Sequence, residues 1–338
     1  MSRSGIEEKP PWQQVPGSVR AAIEKLLGSP VARAARVWGG YGPTATFRLR
    51  LADGRRAFVK GAHPGLLEST RAAIAREERV YAQLGELMGR WAPAYYGSVA
   101  VDGWSFLALE DLGPKSAPPW TPRLARAVLR DYAAFHASTL GRDLPAWLPR
   151  PNVWAGRGGQ SWEWAVGGEE ATAIAGLAGA DHSQAAAWLR RAAGTLASAA
   201  RGVYDPAVPW ALLHYDTRSD NLRWHAGRLY LLDWPHVVVG PVEMDVVAFA
   251  QSITVDGGPP PEELLGWYQH RLELNPAAVD AAVAALAGYF AYQGGQPDIP
   301  GLPRLRPFQR QQMKVTLTWA AERLGLPFPA WVEAIQVE

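Results

Sequence analysis

Three oxygen-bearing side chains stand close together in one stretch of the chain: Asp216, Asn221 five residues on, and Asp233. An apolar lead-in, Ala211-Leu212-Leu213, delivers His214, Tyr215 and Asp216. Two short apolar runs follow, Leu222 to Trp224 and Leu229 to Leu232, separated by Ala226-Gly227. That is a hairpin signal, because glycine supplies the positive φ a tight turn needs. The second run ends on Asp233, so one loop and the hairpin after it bring all three side chains to the rim of a small sheet. Oxygen donors without cysteine or paired histidines suit a hard cation, and Mg²⁺ is typically held by one or two protein groups together with substrate phosphates. Asp and Asn also favour turns for their own backbone-bonding reasons. The full spacing, the hairpin and the terminal Asp together are what set the chemical reading above an ordinary polar turn.

Phosphate chemistry needs a cation and close backbone approach, and the first third of the chain offers both. Lys60 closes the apolar run Ala57-Phe58-Val59, while the other lysines, Lys9, Lys25, Lys115 and Lys314, sit at polar or loop positions. In a chain that prefers Arg, this lysine suggests that a compact point charge is required. Helical periodicity over 68–87 places Glu77 within the apolar face of Ala73, Ile74, Val80, Tyr81 and Leu84, with Glu78 pointing outward. A carboxylate on a buried face is costly unless a cation answers it, and Lys60 is the natural partner. Ahead of them, Gly39-Gly40-Tyr41-Gly42-Pro43-Thr44 lies between β-type pieces. Its glycines (Gly40 and Gly42 foremost) and Thr44 allow backbone N–H groups to approach phosphate oxygens, or serve only to turn a hairpin.

The spacing His214-x-Asp216-x-x-x-x-Asn221, with Asp233 downstream, is the catalytic-loop pattern of kinases. Its setting, HYDTRSDNLRW followed by LYLLDWP, resembles the aminoglycoside phosphotransferase and choline-kinase-like family, as do AREERVYAQL around Glu77 and the LEDL run at 109–112. The resemblance extends from about Val31 to Leu324 and implies an α+β, bilobal protein-kinase-like fold. The first lobe, 1–112, would be an antiparallel sheet with one helix and a hinge; the second, 113–338, mainly helical. It further implies ATP and Mg²⁺ as cofactors and a small-molecule hydroxyl as acceptor. Asp216 would be the base or orienter of that hydroxyl, and Asn221 and Asp233 the metal ligands. Lys60, held by Glu77, would contact the phosphates, and the Glu110 carbonyl and Leu112 N–H would bind adenine. Arg218 stands in the place of the catalytic-loop lysine and either neutralises the transferring group or forms a structural salt bridge. Asp245 would brace the catalytic loop through backbone N–H groups, and His214 would be scaffold. Two departures stand out: Tyr215 replaces the glycine usual before this Asp, and Pro235 follows Asp-Trp where Glu is usual.

The remaining elements must carry this machinery. A short helix is expected over 18–27 with Ser18 as cap, strands over 35–38, 44–51, 56–59, 94–101 and 104–110, and helices over 123–140, 184–203, 261–274, 277–292 and 307–324. Ser183 is placed to cap the 184–203 helix. His136 reads as a packed or surface histidine. Trp154, Trp162 and Trp164 either stack on an acceptor ring or fill core, and a Gly/Pro loop over 293–303 is a candidate lid. Glu163, Glu169, Glu170 and Asp181 are the acids available for a polycationic acceptor, no more than chance would place there.

Composition bounds the rest. At 338 residues the chain suits two domains. A net charge of +2 without a basic block argues against nucleic acid, and no long apolar run argues for a membrane. The absence of cysteine removes disulfides, thiolate nucleophiles and Cys-based zinc sites. The expected compartment is the cytoplasm. A reading from another class is a nucleotide-binding module that has lost turnover, although Lys60, Asp216, Asn221 and Asp233 are all retained.

Overall fold

Five strands, β1 (Val31–Arg36), β2 (Ala45–Leu51), β3 (Arg56–Ala62), β4 (Tyr95–Val101) and β5 (Trp104–Leu109), pair antiparallel in the order β1-β2-β3-β5-β4. Side chains alternate across a strand, and here the alternation assigns opposite jobs to the two faces. Phe47, Leu49 and Leu51 of β2, Ala57 and Val59 of β3, and Phe106 and Ala108 of β5 share one buried face with Trp12, Val19 and Ile23. Val19 and Ile23 come from α1 (Gly17–Leu27), which ends on Gly28 at φ 69°. On the opposite face Lys60 stands across from Thr46 on one side and Leu107 on the other. α2 (Glu68–Met88) presents Ile74, Glu77, Val80, Tyr81, Leu84 and Met88 as its buried stripe at three- and four-residue steps.

The computed structural model describes residues 9–38, 43–114, 117, 119–150, 162–204, 208–300 and 302–337. Two compact units result: one formed by Met1–Ser116, Asp220–His236 and Pro300–Leu302, the other by Ala117–Ser219, Val237–Ile299 and Pro303–Glu338. Later in the chain come β6 (Trp210–Leu213), the hairpin strands β7 (Leu222–His225) and β8 (Arg228–Leu231), and β9 (Val238–Pro241). The hairpin belongs to the first unit. Ala226 and Gly227 both adopt positive φ, 50° and 77°, the combination a two-residue hairpin turn requires. In the second unit β6 pairs with β9, among the helices α3 (Pro122–Thr139), α4 (Glu169–Gly176), α5 (His182–Ala200), α6 (Val242–Val255), α7 (Pro261–Gln269), α8 (Pro276–Gly294) and α9 (Leu305–Arg323). Thr121 caps α3 by accepting from Leu124 N–H, and Asn275 caps α8 by accepting from Ala277 and Ala278. No helix among the described residues is long and apolar enough to cross a membrane.

Several local expectations need correction. Ser18 does not cap α1: the helix starts at Gly17 behind Pro16, and the Ser18 hydroxyl donates to Asp102 instead. Ser183 does not cap α5, which begins at His182 and so places Ser183 inside the first turn, beside His182 Nε2 at 3.2 Å. β1 runs over Val31–Arg36 rather than 35–38, because Val31 is drawn opposite Leu51. α7 stops at Gln269, where Arg271 and Leu272 N–H both turn back to the Tyr268 carbonyl. Of the tryptophans left open between stacking and core, Trp162 is fully buried and donates to the Ala284 carbonyl at 3.1 Å, and Trp164 stacks on it at 5.1 Å. Both are core; Trp154 lies outside the described residues.

Gly61, directly after Lys60, tests the tightness of the β3–β5 contact. A Cβ there would overlap the Ser105 carbonyl oxygen and lie 2.5 Å from the Phe106 ring. Gly61→Ala is expected to destabilise the protein by about 3 kcal/mol, the upper end for overpacking, measured by chemical denaturation. A loss within experimental error would show that the two strands are looser than described.

Candidate active site

Within the first unit, three charged side chains predicted to act together do meet. Lys60 Nζ lies 2.9 Å from Glu77 Oε2 and 2.5 Å from Asp233 Oδ1. Glu77 is buried, and its second oxygen accepts from Trp234 N–H at 3.3 Å, tying α2 to the residue after Asp233. Burial alone would depress the Lys60 ammonium, but the Asp233 and Glu77 carboxylates outweigh it and hold the group above the ordinary lysine value. Burial pushes Glu77 the other way, above the ordinary glutamate value, against the pull of Lys60 and with the repulsion of Asp233 added. Glu78 leaves the pair alone and accepts from the Ser98 hydroxyl.

Asn221 and Asp233 flank the hairpin on either side of the Leu222–Leu231 pair. Leu232 N–H donates to the Asn221 carbonyl at 2.7 Å, so the residue before Asp233 is clamped to Asn221 at the open end of the ladder. Asp233 itself adopts φ 64°, a left-handed conformation that Asp tolerates better than most residues. The pair offers two oxygen-bearing side chains of the kind a hard cation takes. No group of three or more His, Asp or Glu side chains among the described residues could hold a metal alone. This donor set fits a Mg²⁺ that also takes oxygens from a phosphate ligand.

At the expected hinge, Glu110 N–H donates to the Ala94 carbonyl at 2.9 Å and the Glu110 carboxylate accepts from Ala94 N–H at 3.2 Å. Arg48 fixes the segment around Leu112 from both sides: its Nε lies 3.2 Å from Asp111 Oδ1 and its Nη2 donates to the Gly113 carbonyl. Thr44 leads into β2, its hydroxyl 3.3 Å from that of Thr46. Gly40 and Gly42, expected to face phosphate, lie outside the described residues.

In the second unit the loop after β6 hangs on one buried carboxylate. Asp245, in the first turn of α6, accepts from His214 N–H at 2.6 Å and Tyr215 N–H at 2.8 Å. It accepts also from Tyr132 hydroxyl at 2.7 Å and lies 3.3 Å from His136 Nε2. Burial would raise this carboxyl; the hydrogen bond and charge of His136, with further help from His214 and Tyr132, overcome it and hold Asp245 below the ordinary aspartate value. Tyr132 also reaches Thr217 Oγ1 at 2.6 Å, and His136 Nδ1 reaches Tyr268 hydroxyl at 2.7 Å. Asp216 and Arg218 therefore flank a residue that is itself pinned, and their side chains approach to 3.7 Å. Tyr215 carries φ 63°, the left-handed region in which the glycine it replaces would be unstrained.

Tyr132, His136 and Tyr268 were not singled out from sequence as part of this arrangement. The signal for the first two was present: polar residues at i and i+4 on the apolar face of α3 need partners there.

Lys60→Met leaves Glu77 buried without its cation and is expected to cost about 3–5 kcal/mol at neutral pH. Without the lysine's pull the Glu77 carboxyl rises further. A raised folded-state value confers stability at low pH that is lost as pH rises through it. The variant should therefore lie nearest wild type in acid and fall away as pH climbs above the ordinary glutamate value of 4.5. Denaturant titrations across that range measure the difference, and a pH-independent deficit contradicts it.

These geometries can be set beside known proteins. No curated protein matches the chain. Among solved structures, a spectinomycin phosphotransferase in complex with ADP and spectinomycin has a TM-score of 0.61 at 13% identity, covering 93% of this chain and 97% of that one. An aminoglycoside phosphotransferase from Alicyclobacillus acidocaldarius subsp. acidocaldarius gives 0.59 at 14% identity, covering 90% and 91%. A choline kinase from Streptococcus pneumoniae gives 0.53 at 14%, covering 91% and 98%. At these identities the likeness is one of fold, which is the α+β, protein-kinase-like fold expected from the resemblance. The pattern of the phosphotransferase enzyme family matches residues 33–308, most of the chain and every described residue of the site, so the chain belongs to the phosphotransferase enzyme family.

Proposed function

We propose that this phosphotransferase moves the γ-phosphate of ATP, with Mg²⁺, to a hydroxyl of a small molecule. The observation that carries the reading is the Lys60 ammonium held between Glu77 and Asp233. Phosphoryl transfer asks a protein chiefly for positioning and for neutralisation of charge, and a lysine oriented by two carboxylates supplies a fixed cation for phosphate oxygens. Asn221 and Asp233 would hold Mg²⁺, which when bound neutralises charge on the β- and γ-phosphates. The segment around Glu110 and Leu112, stiffened by Arg48, takes adenine. Thr44 would face the phosphates, and the same role is proposed for Gly40 and Gly42, which lie outside the described residues. Asp216 orients the acceptor hydroxyl and accepts its proton as the bond to phosphorus forms, and Arg218 offsets charge on the group in transit. Asp245, by fixing His214 and Tyr215 N–H, sets where Asp216 stands. Such a reaction belongs where ATP is abundant, in the cytoplasm.

An acceptor panel with Mg-ATP tests this. Wild type is expected to release ADP in an acceptor-dependent manner. Asp216→Asn should lower kcat by about 10²–10⁴-fold, the usual contribution of a positioned base, while keeping its thermal protection by Mg-ATP. Nucleotide protection in both proteins without turnover in either would favour a silent binding module instead.

A further inference from the structure

The surroundings of Asp216 within its own unit bear on the acceptor's charge. The Arg218 guanidinium, 3.7 Å from Asp216, lies 5.3 Å over the ring of Phe308 in the first turn of α9. Phe308 meets Phe290 at 6.3 Å, and Phe290 meets Tyr289 at 5.2 Å. Asp216, Arg218 and Arg306 all act on the hydroxyl of the half-buried Tyr289, whose value desolvation raises first and Asp216 raises further. Arg306, also in the first turn of α9, is thus a close electrostatic neighbour of the same group as Asp216.

Arg306 is only 6% exposed. Its Nε donates to the Pro297 carbonyl at 2.9 Å, and its Nη1 to Gln293 Oε1 at 3.1 Å and Gln309 Oε1 at 2.6 Å. Every one of these acceptors is neutral. The bonds tie Pro297 and the end of α8 to α9, but they do not answer the charge. Arg310, one turn on, donates Nε to the Gly294 carbonyl at 3.2 Å, again a neutral partner. Burial lowers the Arg306 value, and Arg310 adds like-charge repulsion. The nearest opposite charges acting on it are Tyr289 when ionised and the exposed Asp298, which makes no ion pair with it within 4.0 Å. Among the described residues, two guanidiniums therefore share one turn with no carboxylate within ion-pair distance of either, whereas the Lys60 ammonium is paired twice. Buried charges are ordinarily paired, and planar guanidiniums match carboxylate and phosphate oxygens.

We infer that the acceptor carries an anionic group, a carboxylate or a phosphate, which Arg306 and Arg310 hold while its hydroxyl faces Asp216. This rests on the phosphotransferase reading of Asp216 and narrows it. A polycationic acceptor would meet repulsion here, and the acids considered for it, Glu163, Glu169, Glu170 and Asp181, are exposed or half-buried.

The test uses the full chain loaded with Mg²⁺ and a non-hydrolysable ATP analogue, so that the nucleotide's own phosphate positions are filled. Inorganic phosphate and acetate, each against chloride at matched ionic strength, are titrated while thermal unfolding is followed. One of the two is expected to protect wild type beyond chloride, and which one does so identifies the group. Arg306→Gln and, separately, the less buried Arg310→Gln should weaken that protection about tenfold or more, with Arg306→Lys recovering part of it. Responses to all three anions that are equal, or protection kept by both Gln variants, overturn the inference. Protection by the nucleotide analogue, lost in Lys60→Met, is read in the same experiment. Its absence in wild type would instead remove the phosphotransferase reading on which the inference stands.

Discussion

An ammonium taken out of water has to be answered by nearby carboxylates, and in the first unit Lys60 is answered twice. That requirement organises the unit around it. Strand alternation turns Lys60 away from the aromatic core that Phe47 and Phe106 fill, helix periodicity turns Glu77 inward from α2, and the hairpin of residues 222–231 ends so that Asp233 arrives beside both. Desolvation works against the Lys60 ammonium, and the two carboxylates together outweigh it. The hydrogen bond that Trp234 N–H donates to Glu77 ties the same contact to the hairpin's end.

The second unit meets a parallel problem with opposite sign. Asp245 is a buried carboxylate answered by two backbone N–H groups, a phenol and an imidazole. Charge-assisted hydrogen bonds of this kind are among the stronger ones a protein makes, and they hold a backbone that would otherwise resist its conformation. Tyr215 at φ 63° is a bulky residue in a region few such residues occupy. Strain of this sort persists where neighbouring bonds over-determine the chain, as the bonds to His214 and Tyr215 N–H do.

Sequence carried the parts of this site that rest on local pattern. Lys60 was legible because it closed an apolar strand in a lysine-poor chain, Glu77 because it broke an apolar helical stripe, and the hairpin because Ala-Gly separated two short apolar runs. What escaped rests on partners far apart in the chain. His136 meets Asp245 across 109 positions and Tyr268 across 132, and no periodicity encodes such a meeting. The serine caps failed for a related reason: Ser18 had a suitable local position, but Asp102, 84 residues away, took its hydroxyl. Trp162 was undecidable between ring-stacking and core until the Ala284 carbonyl supplied its indole with a partner.

The hairpin that brings Asp233 to Lys60 counts with the first unit, although the residues immediately before Asp220 and after His236 count with the second. The polypeptide thus threads from one body to the other and back rather than finishing one before starting the next. Neither body corresponds to a single contiguous stretch of gene. A cut after Ser116 would yield a sheet whose lysine keeps Glu77 but loses Asp233, so shuffling or transplanting the front portion as a cassette would separate a cation from half of its counter-charge.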